Sequence, residues 1–310
     1  MNLDKRFLGL LQCPADHCAI LSQDENVLIA ECGRRYRIND LGIPLFAGEF
    51  CSEEARIQQK HYDHIAQKYL ENLSYPHTEE YMSYLDNLFL QAVHDANFSQ
   101  VAEICCGSAE AFRLLENRVK NGVGVDVSVS MLTAARKKFP NDNLLFLQGD
   151  ATTLPLREKQ FDSVFMLGGI HHVNNRSQLF QEIFRILKDG GKFYYREPAN
   201  DFFLWRWLRA IIYKISPALD ENTERPLTFQ ETVPLLEQVG FKNLEWRTYG
   251  FLGYCFFMNS DVLVFNRFFR HLPGIRLLTR GMVKLDDWTV KIPGLTRSGL
   301  VVIGTAEKPK

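Results

Sequence analysis

From Gln100 onward the chain alternates short apolar runs with segments of helical periodicity. A short apolar run between turn residues is typical of a strand buried on both faces, and the helix after it returns the chain to the same edge of the sheet. The alternation therefore predicts βαβ units and an α/β fold with a doubly wound, mostly parallel sheet. Its seven predicted strands are Val101–Cys105, Gly122–Asp126, Leu144–Gln148, Phe161–Leu167, Lys192–Arg196, Leu244–Thr248 and Leu300–Thr305.

Helices are predicted between these strands and before the first of them. They begin near Ala109, Ser130, Ser177 and Thr228, and Glu231 stands where a capping box with Thr228 requires it. Between residues 52 and 97, tyrosine and leucine side chains recur every three or four positions, which predicts two further helices ahead of the sheet.

Two segments, residues 198–227 and 250–298, exceed the usual loop length of such a fold and need a structural reason. Both are rich in aromatic and aliphatic residues, so we expect inserted helical lid segments over the strand ends that enclose a pocket for an apolar ligand. In the first segment, Trp205 and Trp207 stand beside basic residues among large apolar ones. This composition also fits an amphipathic helix in peripheral contact with a membrane, and the sequence leaves both interpretations open.

The charge balance and the cysteine content restrict the class of protein. The 310 residues contain 36 Lys and Arg against 37 Asp and Glu, a formal net charge of -1. Such a chain lacks the broad positive field of non-specific nucleic-acid binding, so we expect no nucleic-acid partner. Seven cysteines, an odd number, are typical of reduced thiols, and no uncharged apolar run is long enough for a membrane span or a signal peptide. We therefore expect a cytoplasmic protein, and the sequence does not indicate its oligomeric state.

Small and acidic residues follow the first four predicted strands, at the edge of the sheet where doubly wound folds bind ligands. The first strand leads into a turn of small side chains, in which Gly107 lets a ligand approach the backbone. The second strand ends at Asp126, whose carboxylate can accept hydrogen bonds from two ribose hydroxyls. The third leads to Asp150, which can accept from the amine of an adenine, and the fourth leads to Gly168, a second glycine and two histidines.

In these motifs and their order, the sequence from about Lys60 to Gly250 resembles the class I S-adenosylmethionine-dependent methyltransferases, in particular the group that includes ubiquinone and menaquinone biosynthesis methyltransferases. The resemblance implies a class I methyltransferase fold with S-adenosylmethionine as its cofactor. It implies that the turn after the first strand binds the methionine portion of this cofactor, that Asp126 binds its ribose and that Asp150 binds its adenine. The implied cofactor-binding residues are Tyr62, Tyr69, Glu103, Cys105, Gly107, Ser108, Asp126, Val127, Met131, Asp150, Ala151, Leu167 and Gly168.

Some of these residues also have a structural interpretation. Asp126 can cap the following helix, and Asp150 can open a turn. Tyr62 and Tyr69 share a predicted helical face and can belong to the core.

The turn after the first strand departs from the family pattern. The family turn carries three glycines, whereas this chain has Cys105 and Ala109 at the outer two positions and keeps only Gly107. Both replacements are small, so we expect cofactor binding to survive, and we expect Cys105 and Cys106 to pack rather than to act as nucleophiles. A nicotinamide enzyme is the competing interpretation, but its third glycine would fall on Glu110, whose long side chain would obstruct helix–strand packing.

Three residues are candidates for the catalytic step. His171 and His172 could remove a proton from an acceptor hydroxyl or amine, because imidazole titrates near neutral pH. A structural role is the alternative for this pair. Glu197 follows the fifth predicted strand and could orient the acceptor, or it could pair with Arg196 or another local group.

The chain divides into a predicted appendage, residues 1–50, and a predicted methyltransferase domain, residues 51–310. The appendage resembles the small zinc-ribbon-type module related to the methyltransferase activator Trm112. When it binds zinc, that module has two Cys-x-x-Cys pairs, and here Ile29 stands at the third ligand position. Only Cys13, His17 or Cys18, and Cys32 are in place, so we expect a β-rich appendage without metal.

The residues and the resemblance together predict methyl transfer from S-adenosylmethionine to a small hydrophobic metabolite or a lipid-like acceptor. Two alternatives stay open. One keeps the cofactor but changes the reaction to an intramolecular cyclisation or cleavage that releases methylthioadenosine. The other is a non-catalytic or RNA-directed methyltransferase-like subunit.

Overall fold

The computed structural model of the protein describes residues 3–48, 51–53, 55–60, 74–215, 225–258 and 264–310, with the backbone alone at 212–215 and 264. The expected roles of Tyr62 and Tyr69 fall outside these residues.

The chain begins with a short helix, α1 (Lys5–Leu8), and a small antiparallel sheet. The sheet consists of β1 (Ile20–Asp24), β2 (Val27–Ala30) and β3 (Arg35–Arg37) in sequential order. The expected β-rich appendage is therefore present. Its buried side chains, among them Leu28 and Tyr36, belong to the same apolar cluster as Leu147 of the main sheet, so the two sheets share one core.

Seven further strands form the main sheet. Their bounds are β4 Gln100–Ile104, β5 Asn121–Asp126, β6 Leu144–Gln148, β7 Phe161–Leu167, β8 Leu187–Pro198, β9 Lys242–Tyr249 and β10 Val301–Glu307. They lie in the order β6-β5-β4-β7-β8-β10-β9, and only β10 is antiparallel to its neighbours. All seven predicted strands and the mostly parallel doubly wound sheet are confirmed, although β8 begins at Leu187 rather than at Lys192.

Residues 55–60 are helical, and eight further α-helices accompany the main sheet in the described ranges. They are α2 Pro76–Ala92, α3 Glu110–Leu115, α4 Val129–Lys138, α5 Arg176–Ile186, α6 Phe203–Ile215, α7 Phe229–Val239, α8 Leu252–Met258 and α9 Ile275–Thr289. Within those ranges, every helix falls short of the length and apolarity needed to cross a membrane.

The predicted capping box at the start of α7 is wrong. Thr228 occupies the N-cap position, but its side chain accepts no capping hydrogen bond. Glu231 instead forms ion pairs with Arg176 (3.0 Å) and Arg225 (2.6 Å). Arg176 is 2% exposed, and a buried guanidinium needs a carboxylate partner more than a helix end needs its cap.

The segment after β3 pairs with the end of one edge strand of the main sheet. β6 is an edge strand, and its Gln148 donates its N–H to Pro44 O (2.8 Å) and accepts from Phe46 N (2.9 Å). These two bonds pair the last residue of the edge strand with the chain between Pro44 and Phe46. The appendage is therefore joined to the sheet beside the strand that ends at the ligand edge.

Both insertions are helical, as expected, and carry most of the exposed large apolar side chains. α6 belongs to the first insertion, and α8, α9 and a 3-10 helix (Val264–His271) belong to the second. Asp286 of α9 accepts hydrogen bonds from Tyr81 OH (2.5 Å) and from three backbone N–H groups at the start of α8. The exposed apolar residues of the insertions are Phe203, Leu204, Trp207, Leu252, Phe256, Phe265, Phe268, Leu272, Leu277, Leu278, Leu285 and Trp288.

Substitution of Gly124 by alanine should destabilise the sheet. Gly124 pairs with Phe146 across β5 and β6, and an added Cβ would lie 2.7 Å from Phe146 Cδ1 and 3.0 Å from Cys106 Sγ. Overpacking of this kind costs about 1–3 kcal/mol of unfolding free energy, measurable by urea denaturation.

Gly281→Ala is the matched control for this prediction. Gly281 lies on an exposed turn of α9 with nothing within 4 Å of an added Cβ. Alanine should stabilise the protein there by roughly 0.5–1 kcal/mol, because glycine is a poor helix former. Equal effects at the two positions would contradict the packing that the structure gives Gly124.

Candidate functional site

A cavity of about 790 Å³ opens at the carboxyl ends of β4, β5, β6 and β7. This volume is in the range of pockets that bind cofactors and other small ligands. Ten of the predicted cofactor-binding residues line it, namely Cys105, Gly107, Ser108, Asp126, Val127, Met131, Asp150, Ala151, Leu167 and Gly168. The structure therefore brings together in one cavity residues that are spread over more than sixty positions of the sequence.

The turn after β4 has three residues in the left-handed region of backbone conformation. They are Cys105 (φ 52°), Gly107 (φ 50°) and Ala109 (φ 67°). Side chains other than glycine adopt this conformation at a cost of about 1–2 kcal/mol per residue. The turn thus keeps the shape that a three-glycine sequence would adopt, although two of its three positions carry a side chain.

Glu103 holds this turn from below and does not line the cavity. The side chain is buried, and its carboxylate accepts hydrogen bonds from Ala111 N (2.7 Å) and Phe112 N (3.2 Å) in the first turn of α3. Burial raises the pKa of Glu103 to about 8. The two N–H donors favour the charged form and lower the pKa, but burial has the larger effect.

Asp126 connects the turns that follow β4 and β5. One carboxylate oxygen accepts from Gly107 N (2.8 Å), and the other accepts from Ser128 N (2.8 Å). The N-cap of α4 is Ser128, whose hydroxyl accepts from Met131 N, so Asp126 is not the cap of this helix. The residue also lines the cavity.

Asp150 is more fully engaged within the protein. Its Oδ1 accepts from Thr152 N (2.8 Å) and Thr152 Oγ1 (2.7 Å), and its Oδ2 accepts from Ser52 N (2.8 Å). The residue is 5% exposed. Asp150 therefore fixes the loop after β6 and the chain that follows the appendage in addition to lining the cavity.

A buried carboxylate shapes the turn after β7. Glu197 Oε1 accepts from Gly169 N (2.7 Å) and Ile170 N (2.9 Å), and Glu197 Oε2 contacts His171 Nδ1 at 2.8 Å. Of the three candidate catalytic residues only His172 lines the cavity, with its ring 3.9 Å from that of His171. Glu197 and His171 lie behind the cavity wall.

Arg196 does not pair with Glu197. Its guanidinium bonds Asp86 (2.8 Å) on α2 and Glu110 (2.6 Å) on α3, and Arg113 adds a second ion pair to Asp86 (2.9 Å). Arg196 is 6% exposed, whereas Asp86, Glu110 and Arg113 line the cavity. These ion pairs connect α2 and α3 to the carboxyl end of β8.

The wall formed by α2 is the part of the site that the sequence analysis missed. Glu79, Met82, Ser83 and Asp86 of this helix line the cavity. They stand at helical spacing, i, i+3, i+4 and i+7, so a search for a mixed polar face on the predicted helix could have found them.

The insertions do not line the cavity in the described ranges. In those ranges, α9 of the second insertion is held against α2. Tyr84 OH on α2 donates to Asp287 Oδ1 (3.1 Å) in addition to the bond between Tyr81 and Asp286. The second insertion therefore supports the helix that forms the cavity wall.

The two adjacent cysteines have raised pKa values. Desolvation raises the pKa of both Cys105 and Cys106 well above the ordinary value, and the charge of Asp126 adds to it. A thiol that holds its proton is a poor nucleophile. This electrostatic environment agrees with the packing role expected for them.

Comparison with known proteins gives matches to methyltransferases. A family model described as a methyltransferase domain matches residues 102–195. The demethylmenaquinone methyltransferase of Leptospira interrogans is 32% identical over 182 residues, which cover 50% of this chain and 73% of that protein.

Solved structures show the same fold at low sequence identity. The cyclase SpnF superposes with a TM-score of 0.57 and 16% identity, over 82% of this chain and 96% of that one. A complex between the Haloferax volcanii Trm112 methyltransferase activator and a methyltransferase matches with a TM-score of 0.55 and 18% identity, over 82% of this chain and 98% of that chain.

The raised pKa of Glu103 predicts a pH dependence of stability. A carboxyl group whose pKa rises from about 4.5 to about 8 on folding binds more protons in the folded state between those values. Its contribution to stability therefore falls as the pH rises through this window. Between pH 5.5 and 8.5, the unfolding free energy of the Glu103→Gln variant should therefore fall by about 1–3 kcal/mol less than that of the parent protein. Unfolding free energies measured at these two pH values check the prediction.

Glu158→Gln is the control for this experiment, because Glu158 is exposed. It should leave the pH dependence of the parent protein unchanged. If Glu103→Gln retained the full slope as well, Glu103 would be ionised throughout and its proposed protonation would be wrong.

Proposed function

We propose, since the chain belongs to the class I S-adenosylmethionine-dependent methyltransferases, that it transfers the methyl group of this cofactor to a small, largely apolar acceptor. The observation that carries the proposal is the cavity at the ends of β4 to β7, with Asp126 at its rim and two glycine turns open to a ligand. An added Cβ would have nothing within 4 Å at Gly168 and only Met131 Cε, at 3.2 Å, at Gly107. These residues fit a ligand with a ribose and an extended methionine portion.

We assign the cofactor-binding roles residue by residue. Asp126 accepts the ribose hydroxyls, while Val127, Met131 and Ala151 flank the adenine, whose amine faces Asp150. The backbone of the turns at Gly107 and Gly168 carries the methionine portion. Glu103 acts indirectly, because its carboxylate is bonded to α3 and positions the first turn.

When bound, S-adenosylmethionine supplies an electrophilic methyl group on its sulfonium sulfur. The protein contributes position and the exclusion of water, which account for much of the rate of such a transfer. Glu197 fixes the turn after β7 and orients His171 through Nδ1. His172, which lines the cavity, is the residue that we propose takes the proton released by the acceptor.

The apolar nature of the acceptor is supported by two observations. The relative from Leptospira interrogans is a demethylmenaquinone methyltransferase by name, so a quinol-type ring with an apolar tail is the first acceptor to test. The insertions expose several aromatic residues, and Arg206 stands beside Trp207, a composition of the kind found where proteins rest on lipid. We propose that the acceptor reaches the enzyme from such a surface.

We further propose that residues 1–50 and 51–310 are the two functional parts of the chain. The first is a zinc-ribbon-type appendage similar to Trm112, built into the same polypeptide as the enzyme. The separate antiparallel sheet of β1, β2 and β3 supports this division, and the core that it shares with the main sheet supports the place of the appendage within the enzyme.

Replacement of Asp126 by alanine should weaken cofactor binding by roughly 100-fold, because two hydrogen bonds to a charged acceptor are lost. Isothermal titration calorimetry with S-adenosylmethionine measures the effect. Asp126→Asn keeps one acceptor oxygen and should lose less, and Asp142→Ala, at an exposed aspartate, should lose nothing. Unchanged affinity in Asp126→Ala, with a normal melting curve, would remove the ribose assignment.

Incubation with S-adenosylmethionine and reduced demethylmenaquinone in anionic phospholipid vesicles should yield S-adenosylhomocysteine and the methylated acceptor by mass spectrometry. His172→Ala should retain cofactor affinity but lower kcat by about 100-fold. Methylthioadenosine formed without any acceptor would contradict methyl transfer and indicate a cyclase or lyase instead.

The lipid surface has its own control in the same assay. Trp207→Ser and Trp288→Ser, at residues that are 63% exposed, should lower the rate with vesicle-borne acceptor but not with a short-chain analogue in water. A loss of equal size with both acceptors would contradict the lipid-surface proposal while leaving methyl transfer intact.

A further inference from the structure

Four metal-ligating side chains converge in the appendage. They are Cys13, Asp16, Cys18 and Cys32, and the four ligand atoms all lie within 4.8 Å of one another. The sequence pattern alone indicates three ligands, with His17 among the candidates and without Asp16. In the structure, His17 Nδ1 faces Gln12 Nε2 at 2.5 Å and takes no part in the cluster.

Two backbone turns create this convergence. In the first, Cys13 N donates to Cys18 O (2.9 Å) and His17 N donates to Cys13 O (2.9 Å). In the second, Gly33 N donates to Ala30 O (2.9 Å), and Gly33 adopts a φ of 84°. The turns face each other, so ligands from either side of β1 and β2 meet at one point.

The sulfur geometry matches a tetrahedral metal site. Cys13 Sγ and Cys32 Sγ are 3.9 Å apart. With Zn–S bonds of about 2.3 Å, the edge of a tetrahedron is about 3.8 Å long. A disulfide would instead require the sulfurs to approach to about 2.05 Å, and it would leave the third thiol and the carboxylate unused.

The surroundings of the cluster also fit a bound cation. Cys32 N lies 3.3 Å from Cys18 Sγ, an N–H donor of the kind that stabilises a coordinated thiolate. Three thiolates and one carboxylate around a divalent ion leave a net charge of about -2. Arg34 Nη1, at 2.7 Å from Asp16 and 3.7 Å from Cys13 Sγ, offsets part of this charge.

We propose that Cys13, Asp16, Cys18 and Cys32 bind one Zn²⁺ ion. Soft thiolate ligands select zinc over magnesium or calcium, and four protein ligands leave no open position, so the site is structural. The ligand set is not that of two Cys-x-x-Cys pairs. Asp16 replaces the second cysteine of the first pair, and Cys18 supplies the ligand that Ile29 cannot.

The test uses the full chain, purified in reducing buffer without a metal-affinity tag. Elemental analysis should find about one zinc per chain. After metal removal, Co²⁺ should bind with the charge-transfer and visible bands of a tetrahedral thiolate site. Cys32→Ser should bind Co²⁺ at least 100-fold more weakly, whereas Cys51→Ser, at a cysteine outside the cluster, should bind it like the parent protein.

The Asp16→Cys variant tests the same site even if the Cys32→Ser variant does not fold. It should still bind Co²⁺, and its charge-transfer absorbance should rise by about a third as the site changes from three to four thiolates. Protein that binds S-adenosylmethionine normally but contains no zinc and takes up no Co²⁺ would overturn the proposal, and Arg34 would then be the cation of the cluster. An unchanged spectrum in Asp16→Cys would remove Asp16 from the ligand set.

Discussion

The strand order reverses between β4 and β7, and the site depends on this reversal. Where the connections of neighbouring parallel strands leave toward opposite faces of the sheet, a crevice opens between the turns at the strand ends. Two buried carboxylates then fix the walls of the crevice. Glu103 holds the turn after β4 through α3, and Glu197 holds the turn after β7 through two backbone N–H groups. Asp126 bridges from the next strand to Gly107.

The sheet and the ligand edge could be predicted from the sequence because local sequence patterns indicate both. Buried strands read as short apolar runs, and the residue after each run, such as Asp126 or Gly168, lies at the ligand edge by topology alone. The partners of long charged side chains could not be predicted in this way. Arg196 reaches Asp86, 110 positions earlier, and Glu197 turns back to residues 169–171, because burial forces each charge to find whatever partner the tertiary structure brings near.

The same limit explains the appendage and the insertions. Asp16 stands where the first Cys-x-x-Cys pair would have its second cysteine, but a carboxylate at that position does not by itself indicate a ligand, and only the facing turns bring it to the sulfurs. The insertions were correctly predicted as helices from their length and their aromatic and apolar composition. The packing of the second insertion could not be predicted in this way, because it depends on Asp286, a single buried carboxylate that accepts four hydrogen bonds from α2 and the start of α8.

The hydrogen bonds of Glu197 also restrict the proton chemistry. This carboxylate is 1% exposed, it accepts from Gly169 and Ile170, and its second oxygen faces the imidazole of His171. Because both oxygens are engaged by groups of the protein, the residue is suited to holding the turn that forms the cavity wall rather than to contacting a ligand. His172 has the reverse arrangement, with its side chain at the cavity. This arrangement supports the proposal that the buried Glu197 and His171 set the geometry and that His172, in front of them, contacts the acceptor.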